Sequence, residues 1–112
     1  MPMSDESQPA FIDIVALAGG DESHVFVDMV LNMYRLWAYG NYRDCRLIEP
    51  SGTSMPRPPG HAKLCIEDTD WRALAARENG VHRLIRLPPG GSQRHTSFVG
   101  VRVSDSANTP LP

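Results

Sequence analysis

Between Val25 and Trp37 the apolar residues Val25, Phe26, Met29, Val30, Met33, Leu36 and Trp37 recur at steps of three and four. That spacing predicts one amphipathic helix. Asp21-Glu22-Ser23 opens it, with acids at the positive end of the helix dipole, and Gly40 closes it. The whole row, Met33 and Trp37 included, is expected to pack into the core. The other apolar segments are short and β-branched, and proline and glycine separate them. Pro50-Ser51-Gly52 to Pro58-Pro59-Gly60 admits neither helix nor central strand, so it reads as a loop between two strands rather than a domain boundary. A polyproline-type ligand is the other reading of that run.

Strands are expected at Phe11–Ala18, Arg43–Glu49, His61–Glu67, Val81–Leu87 and Arg94–Val103. Asp68-Thr69-Asp70 caps a short helix running to Glu78, with Trp71, Leu74 and Ala75 inward, and Asn79-Gly80 ends it. The order is β-α-β-β-α-β-β. This is an α+β, two-layer domain with a mainly antiparallel sheet packed by one long and one short helix. Residues 1–9 read as a disordered N-terminus, 10–104 as the single domain, and 105–112 as a disordered tail. A chain of 112 residues holds one core and not comfortably two.

Several function classes fall away on composition. No run of about 18 apolar residues exists, so no membrane span is expected, and the N-terminus lacks the basic and apolar parts of a secretory signal. Cytoplasmic residence follows. Cys45 and Cys65 sit in strand-like segments without zinc-ligand spacing, so neither metal nor cofactor is expected. His24 falls on the exposed side of the helix, and His82 reads as a structural histidine. His95 and Ser97 could be imagined with an acid as a triad. However, they merely share a strand face and no G-x-S-x-G elbow accompanies them, so no enzyme is expected. Net charge is −2, yet residues 72–102 carry Arg72, Arg77, Arg83, Arg86, Arg94 and Arg102 against Glu78 alone. That local basic excess can meet phosphate.

Two local features could bind a ligand. Gly19-Gly20-Asp21-Glu22 sits at a strand-to-helix junction, where free N–H groups can donate to an anion or a base edge; a plain turn with a cap is the simpler reading. Arg94-His95-Thr96-Ser97 follows a glycine-rich turn. Its cation, ring and hydroxyl suit single-stranded RNA, although a polar strand face would look the same.

The stretch G-V-H-R-L-I-R (Gly80–Arg86) followed by H-T-S-F (His95–Phe98) resembles the bacterial class I peptide chain release factors, and H-T-S-F leans to the branch that reads UGA and UAA. A-G-G-D-E-S and the helix N-M-Y-R-L-W-A are similar to the family's G-G-D/T-E-A opening and R-M-Y-x-R-W/Y-A helix. In order, the match runs from Phe11 to Val103, which is the PCRF-type, codon-recognition domain. The resemblance implies that Gly19 and Glu22 contact the first base of the stop codon, a uridine. It implies that His95 stacks on the second base and separates it from the third, and that Thr96 hydrogen-bonds near both. Arg86 and Arg94 are the expected phosphate contacts.

Pro88-Pro89-Gly90 falls where the family carries its discriminating tripeptide, P-x-T or S-P-F. Gly90 offers neither hydroxyl nor ring, and Arg86 to His95 is two residues shorter than the family's usual spacing. Codon identity should therefore be blurred, altered or lost. The family's hydrolytic G-G-Q is absent from these residues: Gly19-Gly20 is followed by Asp and Gly90-Gly91 by Ser. The expected function is that of a stand-alone codon-recognition domain that binds the small-subunit decoding centre of the ribosome and mRNA without catalysing release. Two alternatives stand beside it. One is a protein-interaction or self-associating (homo-oligomeric) module on an inherited fold; the other is half of a split release factor whose G-G-Q domain is a separate protein partner.

Overall fold

The computed structural model describes residues 8–18, 20–49, 60–86 and 95–106, and the backbone alone of Asp21 and His95. The order is β1 (Ala10–Ala18), α1 (Asp21–Gly40), β2 (Cys45–Glu49), β3 (His61–Ile66), α2 (Trp71–Glu78), β4 (Gly80–Arg86) and β5 (His95–Ser104). The expected element order and class hold, with boundaries moved by a residue or two. The strands form one antiparallel sheet in the order β2-β3-β1-β5-β4.

β1 lies at the centre because it is apolar on its helix side without interruption. Ala10, Ile12 and Ile14 are fully buried and stand opposite Ile66, Leu64 and Ala62 of β3. On the other flank Ile12 and Ile14 face Val103 and Val101 of β5. α1 covers this layer with Phe26, Val27, Val30, Leu31, Tyr34 and Ala38. α2 adds Leu74. Asp70 caps α2 by accepting from the backbone N–H groups of Arg72 and Ala73 at 3.1 and 3.3 Å, which satisfies donors that the first helical turn leaves unpaired.

Three polar contacts tie the small helix to the rest. The Tyr34 hydroxyl donates to Glu78 Oε1 at 2.7 Å. The Val103 N–H donates to Asn79 Oδ1 at 2.6 Å, extending the β5 ladder past the start of β4. His82 Nε2 lies 2.8 Å from the Glu78 carbonyl, the structural role expected of that histidine. Burial pushes the Tyr34 phenol far above its ordinary range, with the Glu78 hydrogen bond and charge adding to it, so it remains a donor at any ordinary pH.

One expectation fails. Met29, Met33 and Leu36 do not pack inward; they are 43%, 46% and 72% exposed. α1 carries two apolar stripes, and the sheet takes the one made by Phe26, Val30, Tyr34 and the partly buried Trp37. Both stripes fit a period of 3.6, so the periodicity alone does not choose between them. His24 is likewise only half-exposed, because its ring lies against Gly60, where a Cβ would come within 3.2 Å of it.

The core assignment sets the cost of truncation. Ile14→Ala should destabilise the domain by about 2–5 kcal/mol, whereas Asp70→Ala should cost about 1 kcal/mol. Urea denaturation of both variants should show the larger midpoint shift for Ile14→Ala; equal shifts would contradict the assignment.

Candidate nucleic-acid interface

The end of β1, the start of α1, the end of β4 and the start of β5 meet at one end of the molecule. Register brings them there: Ala18 pairs with Phe98, and Arg86 pairs with His95. The turn into α1 uses Gly20 at φ 59°, in the left-handed region that favours glycine. The Ser23 hydroxyl donates back to the Gly20 carbonyl at 2.6 Å, and this fixes the helix start.

Glu22 stands on the first turn of α1, and Arg86 reaches it from the last residue of β4. Arg86 Nη2 donates to Glu22 Oε2, with both side chains somewhat over a third exposed. The sequence suggests separate tasks for these residues, a base contact and a phosphate contact. The structure joins them, so the Arg86 cation is already engaged by a carboxylate. The two are 64 positions apart, and no local signal links them.

The backbone of His95 lies directly opposite Arg86, and Thr96 lies opposite Ile85. Thr96 is exposed. Residues opposite each other in an antiparallel pair share a sheet face, and successive residues alternate. Ser97 is buried toward the helices beside the partly buried Leu84, so Thr96, with Ile85, belongs to the opposite face. The end of the β4–β5 ribbon therefore presents a carboxylate–guanidinium pair on its helix side and a hydroxyl on the other. Gly19, Arg94 and the Pro88-Pro89-Gly90 segment lie outside the described residues.

A second polar cluster lies elsewhere. Asp13 is buried on the sheet face opposite the helices; its Oδ1 is 2.9 Å from His61 Nε2 and 3.5 Å from Lys63 Nζ. Its only signal in the sequence is an acid within the apolar run F-I-D-I-V-A. A groove of about 380 Å3 adjoins it, walled by Val15, Leu17, Val81 and Gly100. Asp13 and Ala18 are five residues apart on β1, about 17 Å along an extended strand, so this cluster is not part of the ribbon-end site.

Among the described residues both cysteines are free thiols and no metal site is assembled. No group of three His, Cys, Asp or Glu residues is placed to hold a metal there. Burial raises the thiol pKa of both Cys45 and Cys65, and the Glu67 charge adds to it at Cys65, so both stay protonated near neutral pH. Among the described residues no helix is long and apolar enough to cross a membrane.

Residues 2–101 match the family model described as the PCRF domain. Peptide chain release factor 2 of Xanthomonas euvesicatoria pv. vesicatoria (strain 85-10) is 39% identical over 101 residues, which is 88% of this chain and 27% of that protein. The chloroplastic peptide chain release factor PrfB2 of Arabidopsis thaliana is 33% identical over 111 residues, covering 90% of this chain and 22% of that one. Among solved structures, RF2 of Thermus thermophilus superposes with a TM-score of 0.73 at 27% identity, covering 99% of this chain and 33% of that chain. The chain thus spans about a quarter of the length of the curated relatives it matches.

The Glu22–Arg86 pair should matter little to stability. Exposed ion pairs contribute about 0.2–1 kcal/mol. Glu22→Gln and Arg86→Gln should each shift the free energy of unfolding by less than about 1 kcal/mol. Urea titration checks this, and a larger loss would assign the pair to the scaffold instead of the surface.

Proposed function

The chain belongs to the PCRF domain family, and on that premise we propose that it is a release-factor-like codon-recognition module. It docks the β4–β5 ribbon end and the tip of α1 on single-stranded mRNA in the decoding centre of the small ribosomal subunit. It does so in the cytoplasm, where ribosomes work. It does not hydrolyse peptidyl-tRNA with its own residues, and that step falls to a G-G-Q-bearing segment or partner.

One observation carries the reading: residues far apart in sequence, Glu22, Arg86, His95 and Thr96, converge on one end of the domain. Each type suits an unstacked base or its phosphate. In this reading Glu22 and Gly19 meet the first base, His95 stacks, and Thr96 hydrogen-bonds. Arg94 contacts phosphate, and Arg86 does so when Glu22 turns to the base. The tripeptide position Pro88-Pro89-Gly90 ends in a residue with no side-chain donor or acceptor, so the module discriminates stop codons weakly.

The Glu22–Arg86 bond gives the two variants different signatures. His95→Ala removes a stacking surface and should weaken binding to stop-codon-programmed ribosomes by about 1–3 kcal/mol. Glu22→Ala should lose the codon-dependent part of binding while gaining a salt-sensitive, codon-independent part, because it frees the Arg86 cation for phosphate. Co-sedimentation with ribosomes programmed with stop or sense codons, at two salt concentrations, reads both effects. Absence of ribosome association by the unmodified chain would overturn the proposal.

A further inference from the structure

We propose that the outer face of α1 is a self-association surface, and that two copies of this chain pair through antiparallel α1 helices. The inference goes beyond the ribosomal reading and does not depend on it. It starts from the stripe that the core leaves out. Met29, Met33 and Leu36 follow one another at steps of four and three on the side of α1 away from the sheet, 43%, 46% and 72% exposed. Tyr39 continues the exposed surface at 83%. Apolar residues at such spacing form the seam along which two helices pack, and methionine adapts its shape to a partner.

The charges flanking the seam select the occupant. Asp28 and Arg35 are both exposed, and neither has an ion-pair partner among the described residues. They are seven residues apart, so they lie on the same side of the helix, two turns from each other. An antiparallel copy related by a two-fold axis near Asn32 sets Asp28 of each copy opposite Arg35 of the other, twice over. The same register places Met29 of one copy between Met33 and Leu36 of the other. A parallel pair has no such complement, because it sets Asp28 against Met33 and Arg35 against Gly40. The surface is thus complementary to itself, as a two-fold interface requires.

A single helix pair is a small interface, under the roughly 1,200 Å2 of stable complexes, so association is expected in the micromolar range. Sedimentation velocity of the 112-residue chain over that range should show a monomer–dimer equilibrium that weakens with salt. Asp28→Arg sets Arg against Arg, and Arg35→Asp sets Asp against Asp, so each variant alone should dimerise at least about tenfold more weakly. Mixing the two variants restores both attractive pairs, and the mixture should associate as strongly as the original chain. Leu36→Glu should abolish the dimer. All these positions are exposed, and unchanged far-ultraviolet circular dichroism will show that the fold persists. A chain that stays monomeric, a dimer indifferent to Leu36→Glu, or a mixture no stronger than its components would overturn the proposal and leave the face to some other partner.

Discussion

The antiparallel seating of β1 between β3 and β5 is the contact from which the rest of the domain takes its geometry. Ile12 and Ile14 are fully buried, and each is matched by an apolar residue on both neighbouring strands. A slip of one residue would turn every one of them to the other face and bring Asp13 into the core. The register is therefore held strongly along most of the strand. Beyond Ala16 it shifts, and Ala18 comes to face Phe98. That irregularity lies where the chain leaves the sheet for the Gly20 turn and α1. Irregular pairing at a sheet margin re-aims the chain, here toward the ribbon end that carries Glu22 and Arg86.

The scaffold and the candidate interface thus divide the labour by burial. The core fixes where α1 begins, where β4 ends and where β5 begins. At that end Arg86 and Thr96 are exposed and Glu22 is half-exposed, and an ion pair so placed is expected to contribute little to stability. The Glu22–Arg86 bond gives the site a resting state in which a cation and an anion satisfy each other. On the proposed reading, an RNA that offers both a base edge and a phosphate would take up both groups at once. A bare polyanion would first have to displace Glu22, so the pair would suppress indiscriminate phosphate binding.

Much of this was legible in the sequence, for physical reasons. Proline and glycine runs cannot continue a strand or a helix, so they delimited the short elements. Asp70 before Trp71 announced its helix because a carboxylate cap is a local device. Gly80–Arg86 and His95–Phe98 pointed to the family because each motif lies within a single strand. Three features were not legible. Met29, Met33 and Leu36 share the helical period with Phe26 and Val30, and only the sheet decides which stripe is covered. The Glu22–Arg86 bond joins positions that only the folded topology brings together. The Asp13–His61 contact crosses from β1 to β3, and an isolated acid in a strand says nothing about its partner.

The central claim is that the ribbon end of this domain meets the ribosomal decoding centre. Site-directed hydroxyl-radical probing tests it most directly. Ile85 is 44% exposed and stands opposite Thr96. An Ile85→Cys variant can carry a tethered iron chelate, and the unmodified chain, whose own thiols are the half-buried Cys45 and the buried Cys65, is the control. With stop-codon-programmed ribosomes, strand cleavage should concentrate in small-subunit RNA around the decoding centre and in the codon itself. Cleavage no greater than from the unmodified chain, or cleavage spread over the ribosome without focus at the decoding centre, would contradict the account.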